Sequence, residues 1–588
     1  MWICYREMMD MGGNKKAEDH PVADPACPAR RLARGRDRMG RVGVVLIVCL
    51  FTLTFMVLLF GRRAGALAEW QNAAQAQLTA MGGGLLNVSR QSAAGADELF
   101  GSLLSPGFEP RACLSRYQSP HYYKHSPYAP SSPHLLRTLR DYEARHSKCG
   151  PGTPTYAKSV DHLRSGSCSS SNSSSTGDEK ECNYLVWIPY NGLGNRMLSL
   201  HSTLLYALLT DRVLLVHSPD DFTGLFCEPF LSANSTWVLP PDFPVADISR
   251  LGVRSNQSYG NLLDGKKIDN EPAKATAQLV PPYVYLHLAH DLRRPDRLFY
   301  CNDDQLVLAK ANWLLLQSDF YFVPALYDMA DFEGELRRLF PSKESVSHLL
   351  GRYLLHPSNS VWGMITRYYH TCMAQAEERM GVQIRMFSWA SIPVDDMYNQ
   401  IMACSRREHI LPDFDVDAAA SSGSISKSKA ILITSLLADY YDRIKSTYYE
   451  HAAKGGGMGA ILVVVGVFQP THEEQQIMGQ RSHNQKALAE IYLLSFSDVL
   501  LTTGVSTFGY MSSSLAGLRP MMLMIPKDDG KVPEPSCVRA VSMEPCFHMT
   551  PDVQCQGKVV NKEELSHHVK ECEDVGKGIR IKGIKLFD

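Results

Sequence analysis

Residues 184–216 constrain the fold of this chain more than any other stretch, because they predict a strand, a glycine turn, a helix and a second strand in that order. Residues 184–188 form a short β-prone run, and the leucines of 198–209 recur on one helical face before the apolar strand 213–216. Such a βαβ unit requires a parallel sheet. It also puts the glycine turn at the carboxyl end of the first strand, where open α/β sheets bind ligands.

The glycine turn itself has the composition of an anion-binding site. Gly192 and Gly194, on either side of Leu193, let a ligand approach the backbone. The free N–H groups at the start of the helix favour a negative charge. Asn195 and Arg196 add an amide and a fixed positive charge. A packing turn with a surface arginine is the alternative interpretation.

A membrane anchor is predicted near the N-terminus. Residues 42–60 carry no charge, and as a helix they cover roughly 28 Å, about one bilayer core. By the positive-inside rule, residues 1–41 are cytosolic and the chain after the anchor is luminal. A cleaved signal peptide is the alternative, and the length and late start of the apolar run disfavour it. The arginines that set the orientation are Arg30, Arg31, Arg34, Arg36, Arg38 and Arg41.

A luminal location changes what the cysteines predict. Twelve cysteines follow the anchor, and none lies in a CxxC pair, so disulfides are favoured over a zinc site. The sequence leaves their pairing open. We expect disulfides, and no metal, at the four carboxy-terminal cysteines Cys537, Cys546, Cys555 and Cys572. Four glycosylation sequons also fit a luminal protein: Asn87, Asn172, Asn234 and Asn256.

The chain after the anchor divides into a stem and two domains. The whole chain of 588 residues is too long for one domain, and its formal net charge of -1 is too close to zero for an electrostatic nucleic-acid binder. Residues 61–135 have the composition of a flexible stem, and a serine-rich loop lies near 165–177. We expect an N-terminal domain over residues 136–380 and a C-terminal domain over 381–588.

Predicted strands alternate with predicted helices in both domains. The strand candidates are 284–288 and 313–316 in the first domain, and 381–387, 460–468 and 499–503 in the second. The run 460–468 has the composition of a buried parallel strand. This alternation predicts an α/β protein with two Rossmann-like domains behind a membrane anchor and stem.

Two segments of the second domain carry candidate phosphate ligands. Arg385 falls in the apolar strand 381–387, where an unpaired charge is costly and where a nucleotide diphosphate would satisfy it. A structural salt bridge is the alternative. Further along, Ser506, Thr507 and Phe508 begin a helix whose hydroxyl and N–H groups suit phosphate, with simple helix capping as the alternative.

Acidic residues supply the remaining candidates. Asp319 ends a predicted strand and is a candidate general base or sugar ligand. Glu490 lies on a predicted helix and is a candidate ligand for a base or ribose. An ordinary surface acid is the alternative for each. Metal binding would use an Asp-x-Asp pattern, and the one at Asp413, Asp415 and Asp417 lies in a loose loop, so we expect no metal site.

Several long motifs, in the same order over about residues 140–588, closely resemble the plant xyloglucan fucosyltransferase family: 192–216, 356–370, 381–387, 482–494, 506–520 and 541–555. The resemblance implies a GT-B-type Golgi glycosyltransferase. Such an enzyme moves L-fucose from GDP-fucose to the 2-hydroxyl of a galactosyl residue, with inversion and with no cofactor or required metal.

The resemblance also implies roles for individual residues. Arg385 would contact the donor β-phosphate, and Asn195 would lie near donor and acceptor. Ser506 and Thr507 would form the phosphate loop, and Glu490 would recognise the nucleotide. With Asp319 as the candidate base, the predicted catalytic residues are Arg385, Asn195 and Asp319, and the remaining predicted donor ligands are Gly192, Leu193, Gly194, Arg196, Glu490, Ser506, Thr507 and Phe508.

The expected partners are GDP-fucose, a cell-wall polysaccharide or oligosaccharide acceptor and the Golgi membrane, which a single span would cross in type II orientation. A homodimer or a complex with other Golgi glycosyltransferases is compatible with this expectation. The chain departs from the family pattern at 502–505 and in the Ala/Ser-rich stretch 418–428, which leaves the acceptor open.

Three alternatives remain at this stage. One is a metal-dependent Golgi glycosyltransferase that uses another nucleotide sugar, and another is a fucosyltransferase that acts on arabinogalactan-protein glycans. The third is a catalytically inactive sugar-binding or scaffold protein. The intact glycine turn, Arg385 and Ser506 argue against the third.

Overall fold

The computed structural model describes residues 99–123, 130–166, 182–230, 236–275, 279–415, 425–453, 462–526, 530–550, 554–555, 558–559 and 567–586. The predicted anchor 42–60, residues 167–177 of the serine-rich loop and the sequons at Asn87, Asn172 and Asn234 lie outside these ranges. Within them, every helix is too short or too polar to cross a membrane. Asn256, the sequon inside the described part, is exposed.

The first half of the body is built on four parallel strands. Their order across the sheet is β2-β1-β4-β3. All four are buried on both faces, which explains their continuous apolar runs. The predicted strands of this half are confirmed, each extended by one or two residues: β1 (Asn183–Pro189), β2 (Arg212–Val216), β3 (Tyr283–Leu288) and β4 (Trp313–Ser318).

An eight-stranded sheet forms the second half, in the order β12-β11-β10-β5-β7-β9-β8-β6. Its five central strands β11, β10, β5, β7 and β9 are parallel, and short antiparallel strands close both edges. The strands are β5 (Glu378–Gln383), β6 (Phe414–Asp415), β7 (Ile425–Thr434), β8 (Ala452–Ala453), β9 (Leu462–Phe468), β10 (Val499–Thr503), β11 (Met521–Leu523) and β12 (Cys537–Arg539).

Two small hairpins follow near the C-terminus. One pairs β13 (Gln554–Cys555) with β14 (Lys558–Val559), and the other pairs β15 (Val569–Glu571) with β16 (Ile579–Ile581).

The α-helices of the described residues are α1 (Leu114–Gln118), α2 (Pro133–Cys149), α3 (Pro154–Ser165), α4 (Leu193–Leu209), α5 (Tyr259–Asp264), α6 (Pro272–Ala275), α7 (Asn302–Leu308), α8 (Val323–Leu326), α9 (Ala330–Leu339), α10 (Val346–Leu354), α11 (Asn359–Cys372), α12 (Val394–Glu408), α13 (Asp439–Glu450), α14 (Arg481–Ser495) and α15 (Thr507–Ala516).

One hydrophobic core joins the two sheets. Met197 and Leu200 of α4 belong to the same buried cluster as Met511 and Leu515 of α15 and Leu493 of α14. A separate cluster lies under α12 and α13 on the other face of the second sheet. The shared core brings the carboxyl ends of the strands of both sheets to one crevice, and this arrangement positions the site.

The structure corrects two sequence-based boundaries. Residues 99–123, predicted as stem, are folded onto the body, with Leu103 and Leu104 buried and Cys113 bonded to Cys227. The predicted domain border at residue 381 falls inside β5. The second sheet therefore begins at Glu378.

The strand predicted at 460–468 is confirmed over residues 462–468, the part that the structure describes, but it is only partly buried. It is parallel to β7, as predicted, yet Val464 is 43% exposed. The reason is its position near the edge of the sheet, where β8 follows it and cover is incomplete. Its composition is typical of a central strand, but the order of strands places it near the edge of the sheet.

Candidate active site

The topology of the second sheet marks a ligand crevice between β5 and β10. The chain runs from β5 to β7 and on to β9 in one direction, and then returns through α14 to β10 on the other side of β5. Ligands of open α/β sheets bind outside the carboxyl ends of strands at such a reversal. Arg385 follows β5, and residues 504–508 follow β10, so both predicted phosphate segments reach this crevice.

Arg385 lies just beyond β5 and not on it, which corrects the sequence-based placement. The strand ends at Gln383, because the N–H of Arg385 donates to the Thr503 hydroxyl (2.9 Å) and not to a neighbouring carbonyl. Its Nη2 donates to Oε1 of Gln476 (3.0 Å). Within the described part of the chain, no carboxylate lies within ion-pair distance of this half-buried guanidinium, whose pKa burial lowers. A guanidinium in this setting can form charge-assisted hydrogen bonds with an anion.

The phosphate segment, residues 504–508, leads into α15 beside Arg385. Ser506 is its N-cap and is buried, but the Ser506 side chain makes no capping hydrogen bond. The helix begins at Thr507 with N–H groups that suit an anion. The Thr507 hydroxyl donates to Oδ1 of Asn195 (3.0 Å), 312 residues away. This contact joins the phosphate segment to the glycine turn of the first sheet.

Glycine is required at the turn for close approach. A Cβ on Gly194 would lie 2.8 Å from the backbone nitrogen of Phe508 and from two atoms of Thr507. A Cβ on Gly192 would lie 3.0 Å from Nε2 of Gln476. The predicted turn therefore packs directly on the start of α15 and on the loop that contacts Arg385. Leu193, between the glycines, is buried at the start of α4.

Arg196 holds the turn in place. Its Nη1 donates to Oδ2 of Asp221 (2.6 Å) and its Nε to the carbonyl of Asn191 (2.7 Å). The side chain is almost fully buried, and Asn484 of α14 also donates to Asp221. These contacts indicate that Arg196 positions the turn. They disfavour its predicted contact with the donor.

Asp319 lies at the centre of a polar network at the end of β4. Its Oδ1 accepts from the backbone N–H of His290 (3.0 Å), and its Oδ2 pairs with Nδ1 of the same histidine (2.6 Å). Oδ2 also accepts from Nδ2 of Asn191 (2.5 Å). The Asn195 amide donates to the Asp319 carbonyl (3.0 Å). Burial lowers the pKa of His290, but the hydrogen bond and charge of Asp319 outweigh it and leave that pKa raised.

A cleft of about 600 Å³ adjoins this network at the carboxyl end of the first sheet. Tyr190 lines it and stacks on His290, with 5.8 Å between ring centroids. His287 and Asp291 also line it, joined through Nε2 and Oδ1 at 2.6 Å. Further lining residues include His217, Ser249, Arg250 and Arg254. Its volume suits a sugar chain, and its polar lining residues can form hydrogen bonds with hydroxyl groups.

Glu490 faces inward from α14. Its Oε1 accepts from the Thr471 hydroxyl (2.6 Å), and burial raises the pKa of Glu490 to about 8. The surface-acid alternative is therefore wrong. Its predicted contact with the nucleotide stays a prediction.

Comparison with known proteins places the chain in a family. A model of the xyloglucan fucosyltransferase family matches residues 72–556. A galactoside 2-alpha-L-fucosyltransferase of Pisum sativum is 46% identical over 82% of this chain and 82% of its own length. Its namesake in Arabidopsis thaliana is 44% identical over 82% of this chain and 83% of its own length.

The chain belongs to the xyloglucan fucosyltransferase family.

The fold agrees with this assignment. A solved structure of a point mutant of Arabidopsis thaliana FUT1 in complex with GDP is 43% identical, covers 82% of this chain and all of its own, and has a TM-score of 0.71. This xyloglucan fucosyltransferase family member is thus a glycosyltransferase with an α/β fold of two Rossmann-like sheets.

Three residues of the crevice were missed by sequence reasoning: Asn191, His290 and Gln476. The signal for two of them was present, since Asn191 and His290 come two residues after β1 and β3, as Arg385 does after β5. Gln476 lies in a loop without a pattern. Its role is visible because it contacts both Arg385 and the glycine turn.

The candidate metal motif lies far from the crevice. Asp413 and Asp415 sit at β6, which three strands separate from β5, at the amino end of the parallel strands, while Asp417 is outside the described residues. Among those residues, one cluster has ligand-like spacing, Cys546, Cys572 and Asp574, and its two cysteines form a disulfide.

Proposed function

We propose that this chain transfers L-fucose from GDP-fucose to the 2-hydroxyl of a galactosyl residue on a plant cell-wall glycan such as xyloglucan, with inversion. The observation that carries the proposal is the meeting of Arg385, the start of α15 and the glycine turn in one crevice, through the Thr507–Asn195 bond and the Gln476 contacts. This crevice offers a half-buried guanidinium, with no carboxylate partner among the described residues, beside helix N–H groups. A nucleotide diphosphate supplies the matching charge.

The reaction moves negative charge onto the leaving diphosphate. As the bond between the anomeric carbon and the β-phosphate oxygen breaks, Arg385 and the N–H groups of α15 stabilise the charge that develops. They take the role that a divalent cation fills in other glycosyltransferases. We therefore propose that the reaction needs no metal.

The acceptor approaches from the cleft that Tyr190 lines beside His290. A galactosyl 2-oxygen attacks the anomeric carbon from the face opposite GDP, and the hydroxyl proton passes to the His290–Asp319 pair. With Nδ1–H donated to Asp319, the ring of His290 leaves Nε2 as its acceptor nitrogen, and Asp319 orients and stabilises the imidazolium that forms. This extends the predicted base, Asp319, to a pair.

The cellular setting is proposed from the sequence. The arginines before residues 42–60 support a single-pass type II Golgi protein with a luminal body. The five disulfides fit an oxidising lumen. Digestion of a C-terminal tag in intact microsomes without detergent would refute this orientation.

The test uses the full chain in detergent with GDP-fucose and three acceptors: galactosylated xyloglucan oligosaccharide, the same oligosaccharide without galactose, and an arabinogalactan-protein glycan. We expect an α-1,2-fucosylated product from the first alone, identified by NMR, with and without EDTA. Transfer only to the arabinogalactan glycan would support the alternative acceptor. Loss of transfer in EDTA, restored by manganese, would support the metal-dependent alternative.

A further inference from the structure

One residue of the phosphate segment has a backbone conformation that its side chain disfavours. Val505, which immediately precedes Ser506, has a φ of +62°. The left-handed region is open to glycine but costs other residues energy, and a β-branched side chain is a genuine outlier there. This position lies within 502–505, where the chain departs from the family pattern. Something must hold Val505 in place.

Asp574 supplies the holding contact. Its Oδ2 accepts from the backbone N–H of Val505 (2.8 Å) and from the Tyr510 hydroxyl of α15. The Asp574 side chain is completely buried, and Nη2 of Arg580 lies 3.7 Å from its Oδ1. A Cβ on Gly504 would lie 3.1 Å from the Asp574 Cβ. One carboxylate thus contacts both the residue that precedes Ser506 and a residue of α15.

Asp574 sits in the loop between β15 and β16, far along the chain from the crevice. The disulfide Cys546–Cys572 and the backbone pairing of Phe547 with Ile579 fix that hairpin to the body. The loop carrying Asp574 is therefore a rigid support and not a free terminus.

We propose that Asp574 is a positioning residue for the donor diphosphate, which it serves by holding Val505 in the left-handed conformation that aims the N–H groups of α15 at the crevice. This inference rests on the proposed function, in which those groups bind the diphosphate of GDP-fucose. Asp574 does not touch the donor. It acts through the backbone of Val505.

The conformation of Val505 allows a second substitution, Val505→Gly, to test the role of Asp574. Glycine adopts a φ of +62° without steric cost. If Asp574 acts by imposing that conformation, then Val505→Gly must make Asp574 largely dispensable. If Asp574 only contributes to packing of the hairpin, Val505→Gly cannot compensate for its loss.

The experiment measures the Kd for GDP by calorimetry, and kcat and KM for GDP-fucose, on the full chain in detergent. The variants are Asp574→Ala, Asp574→Asn, Val505→Gly and the double variant. We expect Asp574→Ala to weaken GDP binding about tenfold, and Asp574→Asn to weaken it less because its amide oxygen still accepts from Val505. The acceptor KM should be unchanged, and the double variant should bind GDP within about threefold of Val505→Gly alone. Glu571→Ala, which removes an exposed acid from the same hairpin, is the matched control and should equal the wild type.

An equal loss on Asp574→Ala in the wild-type chain and in the Val505→Gly variant would overturn the proposal, as would unchanged GDP binding in Asp574→Ala. Should the alanine variant fail to fold, Asp574→Asn carries the same comparison. A wild-type chain that binds no GDP would instead refute the proposed function. The two failures are therefore distinguishable.

Discussion

At the scale of single residues, charge balance separates Arg385, beside the crevice, from two other arginines. Arg196 is paired with Asp221 and Arg379 with Asp498, both in nearly buried ion pairs. Arg385 has the Gln476 amide in place of a carboxylate. A half-buried cation without a matching anion is costly unless a ligand provides one. That difference makes Arg385 the strongest candidate for the diphosphate contact.

We expect Arg385→Ala to lower the rate of fucose transfer by about two to three orders of magnitude, the scale for losing one charged contact to a leaving group in a water-excluded site. Arg385→Lys should restore little, because an ammonium cannot grip two phosphate oxygens at once. The measurement is the initial rate with GDP-fucose, alongside thermal melts. Arg337→Ala, on an exposed face of α9, is the control. A near-normal rate for Arg385→Ala would remove this residue from the phosphate site.

The His290–Asp319 pair predicts an acidic limb in the pH profile. Asp319 raises the pKa of His290, and only neutral histidine can accept the proton. The rate should therefore fall as the pH drops through that raised pKa. Asp319→Asn removes the stabilising charge, so the limb should move to lower pH while kcat also falls.

The readout is kcat/KM for the acceptor against pH, with His134→Asn, a partly exposed histidine on α2, as the control. A limb that stays at the same pH in Asp319→Asn would assign the titration to another group. Loss of rate alone would not separate the base from a structural role, whereas the position of the limb does.

At the scale of elements, the site depends on how closely α4 and α15 approach each other. Their amino ends meet at Gly194 and Thr507, where there is no space for even one methyl group. Both helices start at carboxyl ends of strands, β1 in one sheet and β10 in the other. The two helix starts therefore form one surface, and its spacing is set by a single glycine.

Gly194→Ala should push these helix starts apart and abolish most transfer, with a stability loss of about 1–3 kcal/mol, as for other overpacked cores. The matched control is Gly334→Ala in the exposed middle of α9, where an added Cβ meets nothing and helix propensity improves. Activity and denaturant midpoints of both variants decide the matter. Wild-type activity in Gly194→Ala would show that the two helices can separate without cost to the site.

At the scale of the whole molecule, the chain after β12 returns to the first half. Glu544 accepts hydrogen bonds from Tyr321 and Ser345, and burial raises the pKa of Glu544 to about 7. Cys555 bonds to Cys301. The C-terminal segment therefore packs against the first half of the body as well as the second. The predicted domain border at residue 381 does not describe how these residues pack.

Among the described cysteines, peptide mapping without reduction should find five linked pairs and an unpaired Cys372: Cys113–Cys227, Cys149–Cys182, Cys301–Cys555, Cys404–Cys537 and Cys546–Cys572. Removing a native disulfide costs about 2–5 kcal/mol in secreted domains, so reductant should lower the melting temperature. Free thiols at the four carboxy-terminal cysteines would contradict both the pairing and the luminal setting. Peptides from reduced protein are the control.

The sequence by itself determined what local pattern encodes. The order of strand, glycine turn and helix at 184–216 predicted a parallel α/β fold, and the structure confirms it. The even cysteine count without CxxC spacing predicted disulfides at the four carboxy-terminal cysteines, which are all bonded. Arg385 was recognised as a charge that needs a partner, although its strand ends two residues earlier. The first and third of these inferences depend on neighbours within a few turns or residues, where periodicity carries information, and the second depends on the number and spacing of the cysteines.

Only the tertiary structure decided which groups meet. Thr507 contacts Asn195 across 312 residues, Asp319 pairs with His290 across 29, and Asp574 supports Val505 across 69. These contacts follow from the order of strands in each sheet and from the shared core that brings the two sheets together. The 2.0 and 3.6 periodicities record which face of an element is buried, but they do not record which element covers it. The crevice is therefore a product of packing, and the sequence supplied its parts without their arrangement.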